Sequence, residues 1–407
     1  MKLVKSLLLG SAAGLVAVAG ASAADLGVKK PTAVEYVKTC PQYGAGFFVV
    51  PGTTSCLKII GRVRVDAIFN NDLTRTADKN TFRARGYFGY DHRTATEYGL
   101  LRTYIRGFIG RDNAATGAAA LEYAFIQFGG LTVGRITPVF EHGYSNSFQG
   151  INGLGGHSDI TYVNSFGYTF QFGGGFSATL ALDSARERQL NISGTTYGGQ
   201  AMPDVVASLD YAGSWGSAKL AGAVHQIRDA INPPASTKYG FAITGAAKVN
   251  LPMISRGSNI WASATYADGA SSYVGFNSTM TAGGRTVTVS DATWSGVAGT
   301  RGTLRTTKAW GLSGGLEVFA APTIRLGLYG TYAQLDPSGP ANTVRTYSVF
   351  GQAAWLPTAG FLIGAEVGYS AINGRRAGAG APVAQAAGGD VRDRGNWTGR
   401  VRFQRDF

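Results

Sequence analysis

The chain has 407 residues, 59 of them glycine, with 11% aromatic and only 15% charged residues, and a formal net charge of +13. Mean hydropathy near zero is too polar for a bundle of membrane helices. The positive balance would suit a nucleic-acid partner, but the arginines fall at strand spacing across several segments rather than in one basic run, so no nucleic acid is expected.

The N-terminus opens with Lys2 and Lys5, then an uncharged, mostly apolar run from Ser6 to Gly20, then Ala21-Ser22-Ala23. This pattern predicts a secretory signal peptide over residues 1–23, cleaved after Ala23. A membrane anchor is the alternative, and the run is short for a span. Residues 24–55 are expected to form a periplasmic N-terminal extension. They hold Cys40, and Cys56 follows directly; an even cysteine count in an exported chain suggests a disulfide, with two free thiols as the other possibility. No histidine lies near either cysteine, so no metal is expected there, and nothing in the chain calls for a cofactor.

From residue 56 to 407 the sequence alternates. In Leu57–Phe69, Ile59, Gly61, Val63, Val65, Ala67 and Phe69 share one parity, and Lys58, Arg62, Arg64 and Asp66 share the other. Thr81–Asp91 sets Phe82, Ala84, Gly86, Phe88 and Tyr90 against Arg83, Arg85 and Asp91. Tyr98–Ile109 sets Leu101, Ile105 and Gly107 against Arg102, Tyr104 and Arg106. A strand sends alternate side chains to opposite faces, so one face is apolar and the other charged. Further strands are predicted at Ala119–Phe128, Leu131–Ile136, Asn164–Phe172, Phe176–Asp183, Val205–Tyr211, Ser217–Ile227, Tyr239–Leu251 and Asn259–Ala267. The remainder are Thr306–Phe319, Thr323–Tyr332, Val344–Leu356, Phe361–Ser370 and Gly395–Phe407, sixteen in all. Within the long stretch 268–305, Arg285–Ser290 reads as a small hairpin rather than a further membrane strand pair. The Gly-Ala repeat at Ala377–Ala381 reads as a surface loop.

Short Gly- or Pro-rich turns alternate with longer connections, the habit of outer-membrane barrels. The final strand places Trp397, Phe403 and Phe407 on the apolar parity, with an aromatic at each end. This suits lipid on one face and water on the other, with Phe407 in the periplasmic aromatic girdle, and resemblance to outer-membrane barrels implies that Phe407 is the assembly signal. The fold class is therefore an all-β, 16-stranded antiparallel transmembrane β-barrel, exported to the outer membrane of a Gram-negative bacterium.

The charged parity carries Arg62, Arg64, Arg83, Arg85, Arg102 and Arg106 on three consecutive strands. Arg400 and Arg402 join them if the last strand closes on the first. Burying eight unpaired guanidiniums in a dry core would cost several kcal/mol each, so this face must be wet. It is expected to be a pore-lining basic wall, since barrels of sixteen to eighteen strands leave an aqueous channel. The long segment Thr137–Val163 carries Glu141 and Asp159. Folded inward, these acids are expected to face the wall across a constriction. Gly311-Leu-Ser-Gly-Gly315 matches a nucleophile-elbow pattern, but it falls inside a strand and no base accompanies it in sequence, so no enzyme is expected.

Ala33–Cys40, Tyr43–Asp66, Thr81–Arg106, Phe125–Arg135 and the aromatic end resemble the porins of alphaproteobacteria. The resemblance implies a homotrimer, passive diffusion of small hydrophilic solutes and ions, and a third loop, here Thr137–Val163, folded into the pore. It also implies contact with outer-membrane lipid and lipopolysaccharide, and recognition of the last strand by barrel-assembly machinery. The loop's Thr-Pro-Val-Phe-Glu-His opening departs from the aromatic, serine-rich start expected of the family. Other classes remain: a substrate-selective outer-membrane channel, or a non-channel barrel acting as an enzyme or adhesin.

Overall fold

A computed structural model describes residues 37–71, 78–113, 115–117, 119–149, 154–158, 162–230, 237–282, 285–295, 302–337, 343–374 and 394–407. The expected signal peptide and the Gly-Ala repeat lie outside the described residues. Sixteen strands form the barrel: β1 Cys56–Asn70, β2 Asn80–Thr96, β3 Gly99–Asp112, β4 Ala120–Phe128, β5 Leu131–Ile136, β6 Val163–Gly173, β7 Phe176–Asp183 and β8 Asp204–Gly213. They continue with β9 Gly216–Arg228, β10 Thr237–Asn250, β11 Asn259–Asp268, β12 Lys308–Ala321, β13 Ile324–Asp336, β14 Val344–Thr358, β15 Phe361–Gly374 and β16 Arg394–Asp406. Each pairs antiparallel with its neighbour in sequence, and β16 returns to β1 in a ladder from Arg62↔Asp406 to Asn70↔Thr398. Beyond the ladder, Gly61 and Phe407 exchange backbone hydrogen bonds of 3.0 Å in each direction. The sheet thus has no free edge, which a barrel in hydrocarbon requires.

Side-chain parity follows the alternation. Ile59, Val63, Val65 and Phe69 on β1, Phe82 and Phe88 on β2, and Trp397 and Phe403 on β16 are exposed on the outside. Arginines 62, 64, 83 and 85 lie on the opposite face. Strands β5 and β7 have the predicted bounds, while others run longer: β2 continues to Thr96 rather than Asp91, and β15 to Gly374 rather than Ser370. Backbone pairing persists past the membrane, where water on both faces removes the need for an apolar parity.

The connections alternate in length. The seven turns at 97–98, 129–130, 174–175, 214–215, 251–258, 322–323 and 359–360 are short. The stretches 137–162, 184–203, 269–307 and 375–393 are long and leave from the other rim. The 269–307 connection is not an open loop. It holds a 3-10 turn at Ser271–Val274, and the hairpin expected from Arg285–Ser290 forms between Thr279–Ala282 and Arg285–Thr288. Its strand Ala292–Ser295 pairs with Ile192–Ser193 and with Thr303–Thr306. Tyr273, Val274, Phe276, Met280 and Val289 are buried in one cluster with Val206, Leu335, Val344 and Ile372 on the inward face of the β8–β15 sector.

Before β1, Phe48–Val49 pairs with Leu57 and Cys56. Cys40 and Cys56 are joined as a disulfide, buried with Phe47. The guanidinium of Arg93 on β2 stacks 4.7 Å over the Phe47 ring. The bond closes a loop with a sequence separation of 16, which in the chain-entropy model stabilises by about 3 kcal/mol. Thiol labelling of unreduced, denatured protein should therefore find no free cysteine. The Cys40→Ser/Cys56→Ser pair should lose about 3 kcal/mol of stability, and labelled thiols in the native chain would refute the link.

Candidate functional site

The inner face of β1–β3 and β16 gathers all eight arginines expected from the sequence. Register places Arg64 beside Arg85, Arg62 beside Tyr87, and Arg402 beside Asp66. Like charges directly opposite on neighbouring strands destabilise a sheet, and carboxylates on adjacent strands offset most of them. Arg62 pairs with Asp406. Arg83 holds Asp112, with Nε donating to Oδ1 at 2.8 Å. Arg102 grips Asp91 through two bonds of 3.0 and 2.9 Å, and Arg93 shares that carboxylate. Arg106 donates to Glu122 at 2.7 Å, and Arg402 Nε to Asp66 at 2.7 Å. Glu122 is inside because a register shift opposite Arg106/Gly107 turns both Glu122 and Tyr123 inward.

Three wall arginines have no carboxylate partner among the described residues. Arg64 donates to Gln404 Oε1 at 2.9 Å and to Tyr87 Oη at 3.3 Å. Arg85 stacks 4.6 Å over Phe108. Arg400 donates to the Phe148 carbonyl oxygen at 2.6 Å. Aromatic rings run between the guanidiniums: Arg102 lies over Tyr104 and Phe125, and Arg106 over Tyr123.

The acids of Thr137–Val163 do not meet the wall as expected. Glu141 accepts from Arg188 Nη2 at 3.1 Å, and Arg188 also donates to Ser158 Oγ at 2.5 Å. Arg188 is fully buried and lies 4.3 Å over the Tyr273 ring. An uncompensated guanidinium there would cost several kcal/mol, so the nearby carboxylate is drawn to it and away from the wall. Asp159 lies outside the described residues.

The segment reaches the far strands through its backbone and polar side chains instead. Asn146 Nδ2 donates to both oxygens of Glu317 on β12 at 2.9 and 3.0 Å. Glu366 on β15, 1% exposed, accepts from Ser147 Oγ, the Phe148 and Gln149 amides, and Gln352 Nε2, all within 3.0 Å. Hydrogen bonds to an ionised group contribute about 1.5–3 kcal/mol each, so Glu366 is the strongest anchor of residues 147–149. His157 Nδ1 shares a 2.8 Å hydrogen bond with Ser313, the serine of the Gly311–Gly315 stretch. Ser313 is buried in a straight strand and also bonds Ser263, so the contact pins the segment to the wall. A Cβ at Gly311 would sit 2.8 Å from the Gly156 backbone, so only glycine permits this approach.

His142 packs 4.5 Å from the His157 ring and 5.3 Å from that of Trp261, with Lys219 nearby. Burial and the Lys219 charge push His142 down to about 4, and burial pushes His157 well below its usual range. Both are neutral at pH 7. An unfolded or detached histidine takes its proton near pH 6.5, so attachment of the segment is fully stabilised above that pH and weakens as pH falls toward 4. Amide exchange at residues 141–149 and 154–158, corrected for its intrinsic pH dependence, should rise between pH 7 and pH 4.5. His142→Gln should flatten that rise, and pH-independent exchange in the native chain would refute the coupling.

A closed barrel with an apolar exterior and an ionised interior defines an outer-membrane β-barrel protein of a Gram-negative bacterium. The family model of the porin subfamily matches residues 25–398, and the chain belongs to that family. It is 39% identical over 242 residues to Porin Omp2b of Brucella abortus (strain 2308), a match covering 54% of this chain and 65% of that relative's length. Among solved structures it is similar to the outer membrane channel DcaP of Acinetobacter baumannii, with a TM-score of 0.68 at 15% identity, covering 88% of this chain and 99% of that one. It also resembles the trimer form of OmpT of Vibrio cholerae, with a TM-score of 0.54 at 10% identity, covering 86% and 100%.

The sequence reading missed Glu317, Glu366 and Arg188. The first two stand on the charged parity of their strands, and that parity was the one signal for them. Arg188 lies in a long connection with no pattern of its own.

Proposed function

We propose that the chain forms a water-filled outer-membrane channel for passive diffusion of small hydrophilic solutes and ions. The described parts of the segment after β5, residues 137–149 and 154–158, fold inward as its constriction. The observation that carries this reading is the pairing of Glu366 with the amides of Phe148 and Gln149, together with the donation of Arg400 to the Phe148 carbonyl. These bonds span from the segment after β5 to the inward faces of β15 and β16, six and five strands away round the closed sheet. The unit is a homotrimer. In support, OmpT of similar fold is described in a trimer form, and Ala84, Gly86 and Gly107 keep the outward faces of β2 and β3 low enough for barrels to approach closely.

Cross-strand carboxylates cancel most of the wall charge. Arg64, Arg85 and Arg400 leave a small positive excess on that wall, giving a mild anion preference at low salt. Screening removes it as the Debye length falls to about 3 Å at 1 M.

Planar-bilayer recording tests both parts. Arg64→Gln with Arg85→Gln should lower the chloride-to-potassium permeability ratio roughly twofold at 0.1 M salt. Glu366→Ala should release residues 147–149 and raise single-channel conductance. Native protein that inserts without conducting would overturn the channel. Unchanged conductance in Glu366→Ala would overturn the constriction.

A further inference from the structure

The connection between β11 and β12 reaches the seat of the constriction segment. Its Ser271–Val274 turn, with Gly275 and Phe276, lies beside residues 154–156. Leu154 and Phe276 form an antiparallel bridge. The Gly155 amide donates to the Gly275 carbonyl oxygen at 3.0 Å, and the Gly156 amide to that of Val274 at 2.9 Å. From the wall, the Thr346 hydroxyl on β14 donates to the Leu154 carbonyl oxygen. A Cβ on Gly155 would stand 2.6 Å from the Phe276 ring and 2.7 Å from the Ala333 Cβ on β13, so this layer has no slack between turn and wall. A Cβ on Gly275 would stand 1.9 Å from the His157 carbonyl oxygen, and its φ of +90° already favours glycine.

Gly155 and Gly156 are buried, and buried amides are normally paired. Theirs find acceptors on the turn rather than on the barrel, so the wall alone would leave both unpaired. The turn also meets the earlier part of the segment, since the Tyr273 ring lies 4.8 Å from that of Phe140. Arg188, stacked over Tyr273, holds both Glu141 and Ser158. What fixes the turn lies outside the segment. The fully buried Asp291 carboxyl accepts from the Ser271 amide at 3.0 Å, the Leu190 amide at 3.0 Å and the Tyr197 hydroxyl at 2.7 Å. None of these three donors belongs to the constriction segment. The Tyr273 hydroxyl donates to Asp204 Oδ2 at 2.7 Å, which ties the turn to β8.

We propose that residues 271–276 are a clamp on residues 154–158, with Asp291 as its positioning residue, so that the β11–β12 connection sets the exclusion size of the pore together with the Glu366 anchor. The proposal rests on the constriction reading and deepens it by naming what holds that segment in place.

The test uses the full mature chain, shown to be folded by heat-modifiable migration, in planar bilayers and in liposomes. Asp291→Ala removes the acceptor of the Ser271 and Leu190 amides without altering the segment. It should raise single-channel conductance about twofold and speed raffinose entry relative to glucose in liposome swelling. Gly275→Val, which drives a side chain against the His157 carbonyl oxygen, should do the same, and it serves if Asp291→Ala fails to fold. In both variants amide exchange should rise about tenfold at Gly155 and Gly156 and stay native at Phe148 and Gln149, which Glu366 holds. A rise at both pairs marks general loosening and overturns the clamp. So does native conductance in the folded variants, or raised conductance with native exchange at Gly155 and Gly156. Glu366→Ala is recorded alongside. Raised conductance there, with native conductance in both clamp variants, sinks this inference alone. Raised conductance and local exchange in the clamp variants, with native conductance in Glu366→Ala, sinks the reading of residues 147–149 as a constriction and leaves the clamp.

Discussion

In hydrocarbon, a backbone amide or carbonyl without a partner costs several kcal/mol, and the rest of this structure depends on meeting that demand. Phe48–Val49 covers the edge of β1 only at Cys56 and Leu57, and β16 must pair with the rest from Arg62 to Asn70, so the chain closes. Closure brings Asp406 beside Arg62, Gln404 beside Arg64 and Asp66 beside Arg402. These side-chain pairs follow from satisfying the backbone. The same demand fixes the faces, since a one-residue slip of β16 against β1 would turn Trp397 and Phe403 inward and Arg400 and Arg402 into lipid.

The interior is built of two materials. Along β16 and β1–β4 it is ionic and aromatic, with guanidiniums lying over rings. Along β8–β15 it is filled from the 269–307 connection and the 137–162 segment, with Phe140, Tyr273, Phe276 and Met280 packed against inward aliphatic side chains. Burying apolar surface at about 25 cal/mol per Å² stabilises that half, whereas the ionic half needs water around partly exposed charges. The fully buried Arg188 belongs to the packed half, which is why it must take Glu141 out of the water-facing set.

The sequence made the membrane-facing parity plain, because lipid imposes a period of two on every strand. It located every barrel strand and the eight arginines on one face. It did not reveal which carboxylate each arginine would take. Arg62 and Asp406 are separated by 344 positions, and only ring closure makes them neighbours. Glu122 was hidden differently, since its inward turn depends on a bulge that breaks the alternation used to read strands. The fold of 269–307 was legible only at the Arg285–Ser290 hairpin. Its buried residues Tyr273, Val274 and Phe276 lie in and just after a 3-10 turn, and irregular packing leaves no periodic trace. The pairing of Glu141 with Arg188 joins two connections that carry no pattern of their own, so inward acids facing the wall were the natural expectation.

How the wall arginines are paired also decides how far their charge reaches. A carboxylate bound within about 3 Å of a guanidinium on the next strand makes a short dipole lying along the wall. Its potential decays faster with distance than that of a single charge. Acids placed across the lumen would instead have left each guanidinium a monopole and set a field through the water between them. Here Asp66, Asp91, Asp112, Glu122 and Asp406 all sit beside their partners, so they rigidify the wall more than they polarise the lumen. The reach of the wall then belongs to Arg64, Arg85 and Arg400. Of these, Arg400 is the one tied to the segment that follows β5, through the Phe148 carbonyl oxygen. The geometry thus sets the unneutralised charge of β16 against the segment that follows β5.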